Sequence, residues 1–202
     1  MKRVFFDSSA YTKNFTNEEG SSKAKEIISL AETTDKIKLF ISSWVINETI
    51  AAIDQKCYQR SEITESECYT TIATILKHVM ECTSGKSNIS IIIIDSYIVD
   101  ESVDLIRSLH ISADDSLQVQ AAYNQKCDYF ICQDNGLKLK VDNKNNLRVL
   151  DIANETEMNN FYVGFNNVTH QLLFSTKSLV NVHFSILVIV YFENNSLITP
   201  DS

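Results

Sequence analysis

The sequence predicts an α/β domain built on a parallel sheet flanked by helices, and three observations carry that expectation. Short apolar, β-branched runs alternate with amphipathic stretches of about ten to fifteen residues, which is the pattern of strand–helix–strand crossovers. Four Gly and one Pro in 202 residues leave little room for a loop-rich or low-complexity chain. Neither G-x-G-x-x-G after the first strand nor G-x-x-x-x-G-K-[ST] occurs, so dinucleotide and P-loop chemistry are set aside.

Taken in order, "RVFF" (3–6) reads as a buried strand ending at Asp7. Residues 17–33 follow with helical spacing at Ala24, Ile27, Ile28 and Ala31, and "IKLFIS" (37–42) is strand-like. The stretch 42–59 starts on a serine cap and runs on as a helix. A further helix over 64–82 opens with Thr64 and Glu67 in capping-box spacing. "NISIIIID" (88–95) is β-branched throughout and reads as a strand buried on both faces. Helices over 96–110 and 112–126 precede the short strands "DYFICQD" (128–134) and "LRVLDI" (147–152). Beyond residue 153 the chain is rich in Asn, aromatic and β-branched residues and poor in Lys and Arg. The expected organisation is therefore a domain over 1–152 and a C-terminal extension over 153–202.

A hydrophobic content of 44% and a charged content of 22% describe a soluble, globular chain. The net charge of −8 gives no broad attraction for nucleic acid, so any polyanion would need metal cations or a local basic patch. Five scattered cysteines without C-x-x-C spacing are a poor zinc or disulfide signature and fit reduced packing residues of a cytoplasmic protein. No apolar stretch at the amino end is long enough for a signal peptide. The run 182–192 falls well short of a membrane span, so no membrane association is expected.

In open parallel sheets ligands bind beyond the carboxyl ends of the strands. Asp7 and Asp134 stand at two such ends. Each has an ordinary explanation as a cap or turn residue, as Asp115 has through its spacing from Ser112, and Asp114 as a partner of the helix dipole. Glu48 is harder to explain. It lies three or four positions from Trp44, Val45, Ala51 and Ala52, and the nearest cation in sequence, Lys56, is two turns away. A carboxylate on such a stripe needs compensation, and a bound cation is one form of it. Four converging carboxylates would repel one another unless an ion joined them. Oxygen donors without clustered His or Cys select Mg2+ or Mn2+ over zinc. Such an ion can activate water and stabilise charge on a phosphoryl oxygen, so the expected reaction is phosphodiester hydrolysis.

The order of these motifs resembles the PIN-domain nucleases, especially VapC-type toxins of toxin–antitoxin systems. "VFFDSSAYTKNF" looks like that family's opening strand and turn, and "ISSWVINETIAAI" like its Glu-bearing helix. "HISADDSLQVQAA" is similar to its Asp-bearing helix, "DYFICQDNGL" to its Thr-x-Asp strand end, and "LRVLDI" to its final strand. The likeness covers residues 1–152. It implies a PIN-like fold and a Mg2+- or Mn2+-dependent endoribonuclease, with an RNA substrate, an antitoxin partner and a homodimer. It places Asp7, Glu48, Asp115 and Asp134 as the acidic set, Ser9 as a water-orienting group and Asp114 as a supporting one. Cys132 stands where the family usually has Thr, and Ser116 where it has Ala. The substitution by Cys keeps open a degenerate, non-cleaving PIN domain that binds RNA or protein. A PIN-like nuclease acting on DNA or in RNA processing is a third reading. A phosphatase with Asp-x-Asp after the first strand is disfavoured, because position 9 is Ser9.

Overall fold

A computed structural model describes residues 1–163 except Lys86. The apolar run 182–192 and most of the expected extension lie outside the described residues. By compactness the chain falls into two units, residues 1–159 and 160–202. The first holds the five described strands and the candidate site.

The strands are β1 (Lys2–Phe6), β2 (Ile37–Ser42), β3 (Ile89–Ile92), β4 (Tyr129–Cys132) and β5 (Arg148–Asp151). They form one sheet in the order β3-β2-β1-β4-β5, and every pairing is parallel. The flanking helices are α1 (Ser8–Thr12), α2 (Ser21–Thr33), α3 (Ser43–Tyr58), α4 (Glu65–Thr83), α5 (Ser96–Leu109), α6 (Ala113–Asn124), α7 (Asn135–Val141) and α8 (Glu155–Val163). The expected α/β class and parallel sheet are thus observed.

The strand sequences explain their places. Val4, Phe5 and Phe6 are all fully buried, as a central strand covered on both faces requires. Phe5 stacks on Phe130 of the neighbouring β4 with ring centroids 5.5 Å apart. Such cross-strand aromatic pairs help fix register. A smaller apolar cluster of Ile53, Cys57, Cys68 and Ile75 ties α3 to α4. All five cysteines are free and buried. The Thr64–Glu67 capping box is formed in full at the start of α4.

One expectation about the elements needs correction. The run 88–95 does not give a strand buried on both faces: β3 is a four-residue edge strand in which only Ile89 is buried, and Ile93 is 66% exposed. Its β-branched side chains suit a pleated edge as well as a centre, so composition could not tell the two apart. The "NGL" stretch after β4 opens α7, whose seven residues are too few to show a helical period in the sequence.

The chain leaves β1 towards β2 on one side and β4 on the other, so the topological switch point lies between the carboxyl ends of β1 and β4. Asp7 directly follows β1, and Asp134 lies just beyond β4. No helix among the described residues is long and apolar enough to cross a membrane.

Candidate active site

Each aspartate owes its position to a helix start. Asp7 is the N-cap of α1, and its Oδ2 accepts from the Ser9 backbone N–H at 3.3 Å and from Ser9 Oγ at 2.6 Å. Ser9 Oγ in turn accepts from the Gln133 backbone N–H at 2.8 Å, which fastens the end of β1 to the end of β4. Asp134 caps α7 through Oδ1, which accepts from the Leu137 N–H at 2.9 Å. A Cβ at Gly136 would stand 3.1 Å from that oxygen, so the absence of a side chain gives Asp134 its room. Ser112 caps α6, and its hydroxyl accepts from the Asp115 N–H and donates to Asp115 Oδ2 at 2.7 Å. The capping explanations offered by the sequence therefore hold alongside any functional one.

Burial sets the electrostatics. Asp7 is 7% exposed, and burial holds its carboxyl above the ordinary carboxylate range. The Ser8 and Ser9 hydrogen bonds oppose that shift, and the Asp115 charge adds to it. Glu48 lies in the second turn of α3, half-buried beside the buried stripe Val45, Thr49, Ile53 and Cys57. Its carboxyl is pushed up to about 7, by burial first and by the Asp7 and Asp114 charges, against hydrogen bonds from Ser8 and Trp44. These couplings bring Asp7, Glu48, Asp114 and Asp115 into one neighbourhood.

Asp134 joins that neighbourhood through Cys132, whose buried thiol feels both Asp7 and Asp134. The Cys132 Sγ lies 3.8 Å from the Asp134 carbonyl oxygen, a weak contact where a threonine hydroxyl would donate more strongly.

Among the described residues Glu48 has a neutral donor in the Gln118 amide, whose Nε2–H donates to Glu48 Oε2 at 2.7 Å. No salt bridge among the described residues joins a lysine or arginine to Asp7, Glu48, Asp114, Asp115 or Asp134. Lys13, Lys56 and Lys138 are paired with Glu18, Glu62 and Glu157 respectively. His110 ends α5 with a left-handed backbone, a structural duty.

Gln118 is the site residue that sequence reasoning missed. Its place one turn after Asp115, on the same side of α6, does not by itself mark it in the sequence, since its partner Glu48 lies on a distant helix.

The acids suit a hard divalent ion in kind: all are carboxylates, and none is neutralised by a basic side chain. Asp115 Oδ1 and Asp134 Oδ2 accept no hydrogen bond among the described residues, each carboxylate committing its other oxygen to a cap. No group of three or more His, Cys, Asp or Glu side chains among the described residues is gathered closely enough to hold a metal as it stands. The hollows of about 290 and 540 Å³ lie elsewhere, near the amino ends of β2 and β3, and are lined by Glu32 and Ser87 among others.

The architecture has close parallels among solved structures. A FitAB structure bound to an IR36 DNA fragment superposes with a TM-score of 0.54 at 10% identity, covering 75% of this chain and 96% of that one. FitAcB from Neisseria gonorrhoeae gives 0.51 at 11% identity, covering 74% and 97%. VapBC2 from Rickettsia felis, bound to a DNA fragment from their promoter, gives 0.50 at 13% identity, covering 74% and 98%. The fold is the PIN fold. The sequence itself matches no protein-family model and no curated protein. Within the PIN fold of this chain, the switch point carries the buried Asp7, whose carboxyl feels Asp115 on α6, while Glu48 on α3 feels Asp7 and Asp114.

Proposed function

We propose that this chain is a metal-dependent endoribonuclease that hydrolyses RNA phosphodiester bonds, acting as a VapC-type toxin. Its partners are an antitoxin protein and a second copy of itself. The observation that carries the reading is the buried Asp7 at the switch point. It is coupled to Asp115 and Glu48, with no lysine or arginine paired to any of them among the described residues. Unbalanced carboxylates in a crevice are a cation's ligands waiting for charge. The likeness in fold to the VapBC2 and FitAB chains supports the same reading.

Asp7, Asp115 and Asp134 would hold Mg2+ or Mn2+, with Glu48 either completing the set or orienting water. When bound, the ion supplies positive charge against the phosphoryl oxygens and favours a nucleophile at neutral pH. The chain's own groups do the rest. Ser9 holds the Asp7 carboxylate and ties the end of β4 beside it. Glu48, half-buried beside Asp7 and Asp114, would accept a hydrogen bond from the attacking water and orient it. Asp114, exposed at the first turn of α6, adds negative charge beside Glu48 and supports the set.

Purified protein incubated with mixed cellular RNA in Mn2+ is expected to cleave it, and EDTA to stop the reaction. Asp7→Asn and Asp134→Asn are expected to lower the rate by about 100-fold or more. Equal rates in parent and variants would remove the acids from the chemistry. One finding favours a second reading, a non-cleaving RNA- or protein-binding module: the carboxylates of Asp115 and Asp134 are engaged in their own helix caps. RNA bound without product in Mn2+ selects that reading. Cleavage of a DNA oligonucleotide in preference to RNA of the same sequence points to a DNA nuclease.

A further inference from the structure

Gln118 is 1% exposed, a degree of burial unusual for a glutamine. Its Nε2–H donates to Glu48 Oε2 at 2.7 Å across 70 residues of sequence. Its Oε1 is buried and accepts no hydrogen bond among the described residues. An orphaned buried acceptor is costly, and for packing alone a methionine of similar length fills the space without it. The amide is therefore at that position for what its N–H does. The ionised Glu48 carboxylate only accepts, which suits the Nε2–H end of the amide facing it.

We propose that Gln118 is a positioning residue that fixes the Glu48 carboxylate relative to Asp114 and Asp115, a role that rests on the nuclease reading above. Gln118 sits one turn along α6 from Asp115, so its bond to Glu48 couples α3 to the helix that carries the other two acids. The bond thereby ties the Glu48 side chain on α3 to α6. Freed of the amide, Glu48 would swing away from its charged neighbours, since nothing cationic among the described residues draws it inward.

The test is a double-mutant cycle of Gln118→Met, Glu48→Ala and the double variant in the full chain. Mn2+ binding, kcat and KM on RNA, and thermal unfolding are measured for each. Gln118→Met is expected to lower kcat and to weaken Mn2+ binding by about tenfold each, with KM for RNA changed less than about twofold. In the Glu48→Ala background the same change is expected to add less than about twofold. Losses that multiply in the double variant, or a loss of thermal stability with kcat and Mn2+ binding untouched, overturn the proposal and leave Gln118 a packing residue. A parent that binds Mn2+ but cleaves no RNA counts against the nuclease reading, and the binding cycle alone then judges Gln118. A parent that binds no Mn2+ overturns both.

Discussion

Glu48 holds its proton more tightly in the folded chain than a free glutamate does, because burial and the charges of Asp7 and Asp114 disfavour ionisation. Folding therefore takes up protons between the ordinary value of 4.5 and about 7. Stability should be highest below that window, fall as pH rises through it and level off above, so far as this group is concerned. Glu48 is half-exposed, and solvent screening reduces the size of the effect. In metal-free buffer the melting temperature of Glu48→Gln should decline less steeply between about pH 4.5 and 7 than that of the parent. The buried Asp7 keeps part of the slope in both. Superimposable profiles would show that Glu48 is not the titrating group. Glu48 was legible in the sequence because a carboxylate without a nearby cation on an apolar stripe is an anomaly. Gln118 was not legible, because a glutamine among helical residues reads as solvated and its partner lies on a distant helix.

At the level of elements, α6 shows how one cap can serve structure and site together. Ser112 accepts from the Asp115 N–H at 3.0 Å and donates back to its carboxylate at 2.7 Å. Ser112→Ala should cost about 1 kcal/mol of stability, the usual loss for an N-cap serine, and Ser112→Thr should recover most of it. Urea denaturation of the three proteins measures this; an alanine variant as stable as the parent would refute the cap. The long helices were readable from period and capping residues, as with Thr64 and Glu67. The seven-residue α7 was not, since two turns cannot establish a period. The edge strand β3 was misplaced for a different reason: burial depends on what lies beside a strand, which its own residues do not encode.

For the whole molecule, alternating strands and helices implied a parallel sheet, but the order β3-β2-β1-β4-β5 emerges only from the pairings. That order makes β1 and β4 neighbours and sets Asp7 beside the end of β4. It also places Cys132, fully buried, beneath the crevice, where burial and the carboxylates of Asp7, Asp134 and Asp151 push its thiol up to about 12. Protonated and shielded, that sulfur is a poorly available nucleophile in the native chain. A maleimide reagent should accordingly modify Cys132 in the native protein far more slowly than in urea, as peptide mass spectrometry would read; equal rates would contradict its burial. The thiol thus acts as a built-in gauge: whatever loosens the junction of the two strands will be recorded as alkylation.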